Sequence, residues 1–302
     1  MIEEEKNPME TTSPLSLPVA HSLSRTNLAA NLRGLWAVTW REWYYFIRYP
    51  TWVIALVIWP MIFPAVYILS ALALAGPTGN GLNRFLEVAG TDNFLGYILV
   101  GTTVWMWVNT TLWNIGFALR SEQWRGTLES NWLSPTSRFS FLIGTAPTHI
   151  FSMLVFVFFT VVEFGLFFGV RSNGNLLTIL VVILLSLPSL YGLGFTFASL
   201  VLSAREANTF VFLVRGLVMI FCGVTYPLAV MPVWMQSVAH WLPPTIVINA
   251  ARSAILSGAT IADLKPDLIL LALYGVFWLA FGYLAFVFVE RRARRKGSLG
   301  QY

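Results

Sequence analysis

The stretch TFVFLVRGLVMIFCGVTYPLAVMPVWMQSVAHWLPPTIVINAARSAILSG, residues 209–258, decides how this chain is folded. Its first part, Thr209–Val224, is apolar but short for a bilayer crossing and contains Arg215. The remainder, Thr225–Gly258, stays largely apolar, yet Tyr226-Pro227, Met231-Pro232 and Pro243-Pro244 interrupt helical hydrogen bonding at close intervals. A helix needs about 20 apolar residues to cross roughly 30 Å of hydrocarbon. Hydropathy alone therefore leaves the number of crossings in this stretch open.

Outside it, five stretches are long and apolar enough: Thr51–Ala75, Phe94–Leu119, Phe141–Gly169, Leu176–Leu202 and Asp267–Val289. Composition agrees, with 57% hydrophobic and 11% charged residues and a mean hydropathy of +0.69, against roughly 45–50% and 25% in soluble domains. One water-soluble core cannot hide that much apolar surface, so lipid is the solvent.

Charge then sets the parity. Lys6, Arg25, Arg33, Arg41 and Arg48 precede the first span, and Arg291, Arg292, Arg294, Arg295 and Lys296 follow the last. Positive ends stay in the cytoplasm, so the number of crossings is even. With six spans, Arg120, Arg125, Arg138 and Arg205 also fall inside, giving fourteen basic residues there. Arg84, Arg171, Arg252 and Lys265 fall outside, and Arg215 lies in a span. The expected fold is thus an all-α integral membrane protein, multi-pass in the cell membrane, with spans at about 51–75, 94–119, 141–169, 176–202, 209–224 and 267–289. Segment 225–258 contributes no net crossing and reads as a re-entrant helical hairpin between spans five and six, punctuated by Tyr226, Pro227, Pro232, Pro243 and Pro244. Broken backbone at that depth is tolerated only against protein or a polar cavity.

Upstream, residues 1–30 hold Glu3, Glu4, Glu5 and Glu10 with Pro8, Pro14 and Pro18. They lack the basic start and apolar centre of a cleaved signal, and read as a mobile cytoplasmic tail. From 31 to 50, Leu32, Trp36, Trp40, Trp43 and Ile47 share a helical face with Arg33, Arg41 and Arg48 beside it. This is an interfacial amphipathic helix, tryptophans at headgroup level and arginines reaching phosphate. Residues 290–302 form a basic cytoplasmic tail. The net charge of +5 is explained by membrane orientation and does not call for nucleic acid.

Between spans two and three, the loop 120–138 runs Arg120-Ser121-Glu122-Gln123-Trp124-Arg125-Gly126-Thr127-Leu128-Glu129-Ser130-Asn131-Trp132-Leu133-Ser134-Pro135-Thr136-Ser137-Arg138. Mixed charge, a central glycine and a terminal Ser-Pro suit a short amphipathic helix along the membrane, or a docking knob for a soluble partner. Here the chain resembles the type-2 ATP-binding-cassette permeases, membrane halves of exporters for drugs, lipids and lipid-linked glycans. The resemblance covers about Leu35 to Glu290. It rests on Glu122, Gly126, Thr127, Leu128, Glu129, Ser134 and Pro135, and on Gly223-Val224-Thr225-Tyr226-Pro227 through Met231-Pro232-Val233-Trp234, Pro243-Pro244-Thr245 and Arg252.

The resemblance implies that Glu122, Arg125, Gly126, Thr127, Leu128, Glu129, Ser134 and Pro135 form a coupling helix docking on a nucleotide-binding ATPase subunit, two copies per transporter. It implies that the interface helix, with Trp36, Arg41, Trp43 and Arg48, contributes to the same dock, and that the second permease half is most simply an identical chain. Gln123-Trp124 and the bulky Asn131-Trp132 depart from the family pattern and bear on which ATPase is the partner.

No glycine in the chain is followed by lysine, so the phosphate-cradling P-loop is missing. The chain is expected to be no enzyme and to bind no cofactor, ATP and Mg being used by the partner. His21, His149 and His240 are far apart, without a metalloprotease pattern, and Gly-x-Ser-x-Gly is absent. No catalytic or metal site is expected. His149 reads as a hydrogen bond to a neighbouring helix, Cys222 as a small packing residue, and Gly194 with Ala198 as a close helix contact.

Two charges fall inside spans, Glu163 and Arg215. Counted from the cytoplasmic side, they lie about 33 Å and about 10 Å along their helices, too far apart to pair. Arg215 reads as snorkelling to cytoplasmic headgroups. Glu163 is either an outer-interface residue or part of an outer vestibule. In span two, Thr102, Thr103, Asn109, Thr110 and Asn114 share a side with Met106 and Trp113. Of these Thr103, Asn109, Thr110, Trp113 and Asn114 either bond adjacent helices or line the substrate route.

Overall fold

The computed structural model describes residues 28–75, 85, 87–134, 137–170, 172–203 and 207–296. The basic residues Arg84, Arg171 and Arg205, the coupling-loop Pro135, residues 1–27 of the N-terminal tail and residues 297–302 of the C-terminal tail lie outside the described residues. Its helices are α1 (Leu28–Arg48), α2 (Pro50–Ala75), α3 (Phe94–Asn114), α4 (Ala118–Trp124), α5 (Leu128–Leu133), α6 (Arg138–Phe167), α7 (Leu176–Ser203), α8 (Ala207–Phe221), α9 (Val233–His240), α10 (Pro243–Ile255) and α11 (Lys265–Lys296), with a 3₁₀ turn at Leu228–Val230. Four stretches are long and apolar enough to cross a membrane: Pro50–Ala73, Arg138–Phe167, Leu176–Val201 and Lys265–Arg292. Apolar α8 is shorter. The helix α3 has 21 residues, but its Thr, Asn and Trp side chains dilute its hydropathy. This is an integral membrane helical protein in which α3 is diluted by polar side chains and α8 is apolar but short.

The longest seam joins α7 to α11. Without a hydrophobic drive between helices in lipid, close backbone approach supplies the attraction. A Cβ on Gly192 of α7 would lie 2.5 Å from the Trp278 carbonyl carbon, and one on Gly282 of α11 would lie 2.8 Å from the Gly192 oxygen. The other small residue singled out on α7, Gly194, faces α3, 2.8 Å from the Thr111 methyl. His149 of α6 forms the expected interhelical bond, its Nδ1 2.5 Å from the Tyr191 hydroxyl of α7.

Span two is shorter than its expected 94–119. Its helix ends at Asn114, where the N–H groups of Ile115 and Gly116 both reach the Thr111 carbonyl, at 2.9 and 3.3 Å. A Cβ on Gly116 would meet the Leu112 oxygen at 2.2 Å and Phe197 of α7 at 2.5 Å. The chain turns tightly there and restarts as α4.

The proline-rich segment is a set of short helices whose prolines stand at their starts. Pro227 precedes the 3₁₀ turn, Pro232 caps α9, and Pro243-Pro244 open α10. At these positions the missing N–H costs nothing, because first-turn donors have no intrahelical acceptor. The Tyr226 hydroxyl donates back to the Ile220 carbonyl at 2.5 Å. While α9 is largely exposed, α10 is buried among α3, α7 and α11.

Arg252 of α10, counted from the sequence only as an outer-side charge of the re-entrant segment, is drawn inward to the backbone. It is 7% exposed. Its guanidinium donates to the carbonyls of Gly223 at 2.9 Å, Val224 at 2.7 Å and Tyr97 at 3.3 Å, and its carbon lies 3.5 Å from the Tyr97 ring centre. Gly223 and Val224 lie just past the end of α8, and Tyr97 lies in the first turn of α3. One arginine thereby pins the hairpin to α3 and α8, and α3 comes so close that a Cβ on Gly101 would sit 1.9 Å from the Val224 oxygen.

Candidate functional site

At the end of the bundle that the charge bias assigns to the cytoplasm, α1 lies along α6. Thr39 donates to the Gly144 carbonyl at 2.8 Å, and Thr148 to the Thr39 carbonyl at 3.3 Å. A Cβ on Gly144 would be 2.8 Å from Val38, so that glycine sets how closely the helices approach. Trp43 stacks edge-on against Phe151 of α6 at 4.9 Å. Leu32, Trp36 and Trp40 stay exposed, the arrangement expected of a helix with an apolar face in the headgroup layer. Its range, Leu28–Arg48, starts three residues before the expected 31 and stops before Pro50.

The coupling loop is two helices rather than one. After α4, Gly126 adopts φ +69°, with its N–H on the Gln123 carbonyl at 3.0 Å, and α5 begins two residues later. A left-handed backbone at this point is strained for any residue with a Cβ. The reversal folds α5 back beneath Glu122, whose side chain is 1% exposed.

Four partners hold Glu122. Its Oε2 accepts from the Thr127 hydroxyl at 2.5 Å and the Asn131 amide at 2.6 Å. Its Oε1 lies 3.1 Å from Arg41 of α1 and 2.9 Å from Arg125. These last are ion pairs whose N–H groups are not aligned as hydrogen bonds. Arg41 also bonds Glu42 at 2.7 Å, and its guanidinium carbon stands 5.1 Å from the Phe141 ring of α6. Burial works against its charge, but the Glu42 bond and the Glu122 charge outweigh this, holding Arg41 above its ordinary pKa. A buried charge fully partnered in this way fixes geometry more than it adds stability.

Of the residues expected here, Glu122, Arg125, Thr127 and Arg41 meet at one point, Leu128 is buried beside them, and Gly126 makes the turn. Ser134 closes α5 by donating to the Asn131 carbonyl at 2.8 Å. The Glu129 side chain lies outside the described residues. Trp36 and Arg48 remain on the exposed side of α1. Sequence reasoning missed Asn131 as a Glu122 partner, because nine residues separate them and only the Gly126 reversal brings them together. It also missed Asn31, whose side-chain oxygen accepts from the Ser137 N–H at 2.9 Å, and the ion pair between Arg138 at the start of α6 and Glu290 near the end of α11. The last left a signal, since both residues fall at ends assigned to one membrane face.

The α3 residues expected on one path do not share a face. Thr103 bonds the Leu99 carbonyl of its own helix at 2.7 Å. Thr110 bonds the Met106 carbonyl at 2.8 Å and reaches the Met153 sulfur of α6 at 3.0 Å. Asn114 is exposed and donates to the Thr110 carbonyl at 2.9 Å. Adjacent residues diverge by 100° on a helix, which separates Thr110 from Asn109. Asn109 instead stands between Trp105 and Trp113 at i±4, on the column that meets α8. Trp113 lies edge-on to Phe212 at 5.8 Å.

The Arg215 guanidinium carbon of α8 lies 5.7 Å from the Trp105 ring, 5.8 Å from Trp113 and 5.5 Å from Phe212, ring contacts that the sequence reading did not foresee. Glu163, partly exposed near the end of α6, makes no ion pair with it among the described residues. Cys222 is a buried free thiol. Among the described residues, no group of three His, Cys, Asp or Glu is placed to hold a metal ion.

A family model described as ABC-2 type transporter matches residues 33–256, which takes in α1, the Glu122 cluster, the α3–α8 contact and the proline-punctuated hairpin. No match to a curated protein accompanies it.

Proposed function

The chain belongs to the ABC-2 type transporter family, and from that premise we propose that it is the permease subunit of an ATP-driven exporter. As a transmembrane component of such a transporter it pairs with an ABC ATPase subunit. The finer reading is a homodimer of this chain carrying two ATPase subunits, both ends cytoplasmic. There α3 and α8 complete six crossings, and segment 225–258 dips into the outer leaflet. The chain lacks a P-loop, so ATP and Mg act in the partner. ATPase closure pushes the coupling helices and tips the spans from inward-open towards outward-open. The cargo is amphipathic: a drug-like compound, a lipid or a lipid-linked glycan. The cell membrane is its site of action.

One observation carries this reading. Glu122 ties the coupling loop to the interface helix through Arg41 at 3.1 Å, while Phe141 stacks α6 on the same guanidinium. A push on α5 therefore reaches α1 and α6 together, as a transmission requires. The test is copurification from native membranes, with ATPase activity measured on the assembled complex. Glu122→Ala and Gly126→Pro should reduce the membrane-subunit-dependent ATPase activity at least tenfold. Proline, fixed near φ −65°, cannot take the Gly126 conformation. If no ATPase associates with the wild-type chain, the reading fails.

A further inference from the structure

We propose that the space between α3 and α8 is a binding site for an amphipathic anion, with Arg215 holding its carboxylate or phosphate head. This inference rests on the transporter reading only for the claim that such an anion is cargo.

The geometry is a slot. Trp105 and Trp113 are eight residues apart on α3, about 12 Å along the axis. The Arg215 guanidinium carbon is 5.7 Å from one ring and 5.8 Å from the other, so it sits close to midway between them, level with Asn109. Phe212, exposed and one turn before Arg215 on α8, stands 5.5 Å from the same carbon and forms the rim. Counted from Ala207, Arg215 is about 12 Å along α8.

The charge in this slot has rings around it but no anion. Among the described residues no carboxylate lies within ion-pair distance of Arg215, and its Nε is buried without a hydrogen-bond partner. Aromatic faces attract the positive charge but do not take the place of oxygen acceptors for the guanidinium N–H fork. The Oδ1 of Asn109, which stands between the two tryptophans on the α3 column, is likewise buried and unpartnered. A two-oxygen anion satisfies the fork with parallel hydrogen bonds, and the Asn109 amide can turn its NH₂ to the same oxygens. The tryptophans then receive the apolar or sugar portion next to the head. A fixed cation also excludes cationic amphiphiles by repulsion, which narrows the drug-like class to neutral and acidic members.

The test is equilibrium binding of radiolabelled decyl phosphate to the full-length chain in phosphatidylcholine nanodiscs, without nucleotide or ATPase. Decyl maltoside, decyltrimethylammonium and inorganic phosphate serve as competitors. Saturable binding that only unlabelled decyl phosphate displaces, weakened at least tenfold by Arg215→Gln and by a smaller factor by Arg215→Lys, which keeps the charge but not the fork, supports the site. Adding phosphatidylglycerol to the nanodiscs separates the sources: competition assigns the head to a bilayer lipid, and its absence assigns it to a freely partitioning amphiphile. Equal displacement by decyl maltoside or decyltrimethylammonium overturns the proposal. So does unchanged binding in Arg215→Gln whose elution profile and circular dichroism match wild type. Because no ATPase is present, either result leaves the coupling experiment on Glu122 to stand or fall separately.

Discussion

Glu122 and Arg215 are both charges held away from bulk water, and their surroundings are opposite. Glu122 is closed in by four partners from two helices and a turn. Arg215 has three aromatic rings and no counter-ion among the described residues. The contrast separates a joint from a receptor. A joint must be satisfied at all times, since any slack is lost motion. A receptor must leave donors unused, so that the ligand supplies what is missing.

The largest effect should come from the frame that positions both. Gly101→Ala drives a Cβ to 1.9 Å from the Val224 oxygen and 2.4 Å from the Arg252 guanidinium, where neither neighbour can yield. We expect a loss of about 3 kcal/mol or more, at the upper end for overpacking, read as collapse of the folded fraction in size-exclusion chromatography. Intact folding of that variant would show that the hairpin is not locked to α3. Next, neutralising each charge isosterically should separate joint from receptor. Glu122→Gln removes the counter-charge of Arg125 and leaves Arg41 only Glu42, and should cost about 2–3 kcal/mol in detergent thermal unfolding, somewhat below the range for a fully buried pair because both arginines are partly exposed. Arg215→Gln gives up cation–π attraction and sheds an intramembrane charge, so its melting should stay within about 1 kcal/mol of wild type. Equal losses at the two sites would erase the distinction.

Smaller effects sharpen the boundary of the receptor. Asn109→Ala and Trp113→Ala should lower export in vesicles carrying the assembled transporter, with folded yield and ATPase association kept. Unchanged transport by both would remove α3 from the route. Thr110→Val, one residue from Asn109 but turned towards α6, should leave export unaltered and stability within about 0.5 kcal/mol, because it loses mainly a bond to its own helix.

Why some of this could be read from sequence and some not follows from the range of each interaction. The apolar blocks that became α2, α6, α7 and α11 are local, and each boundary lies within three residues of the expected one except the end of α11, which runs seven residues past Val289 to Lys296. The prolines of 225–258 are local signals too, and each opens a helix. Glu122, Arg125, Gly126 and Thr127 were legible as a group because they are neighbours in the chain. Arg41, eighty-one residues before Glu122, was legible only as part of an amphipathic face. Apart from the early end of span two and the break at Gly126, what the sequence did not reveal is where a side chain turns once helices pack. Arg252, legible only as an outer-side charge of the re-entrant segment, finds the carbonyls past α8. Arg215 fits a snorkelling pattern until the α3 tryptophans are in place. The α3 polar face came apart because a helical wheel groups neighbours within about 100° of each other, and two different helices divide that arc.

The α7–α11 seam has a consequence in time. Gly192 and Gly282 require each other's backbone, yet α7 ends at Ser203 and α11 runs to Lys296. At 5–20 residues per second, roughly 5–20 s of synthesis separate the two surfaces. During that interval α7 sits in lipid with its closest-packing face uncovered, and the helices that lean on it have an unfinished support. The final span to be made is thus the one that completes the wall, and a chain truncated before it enters the membrane without the seam that holds its earlier helices in register.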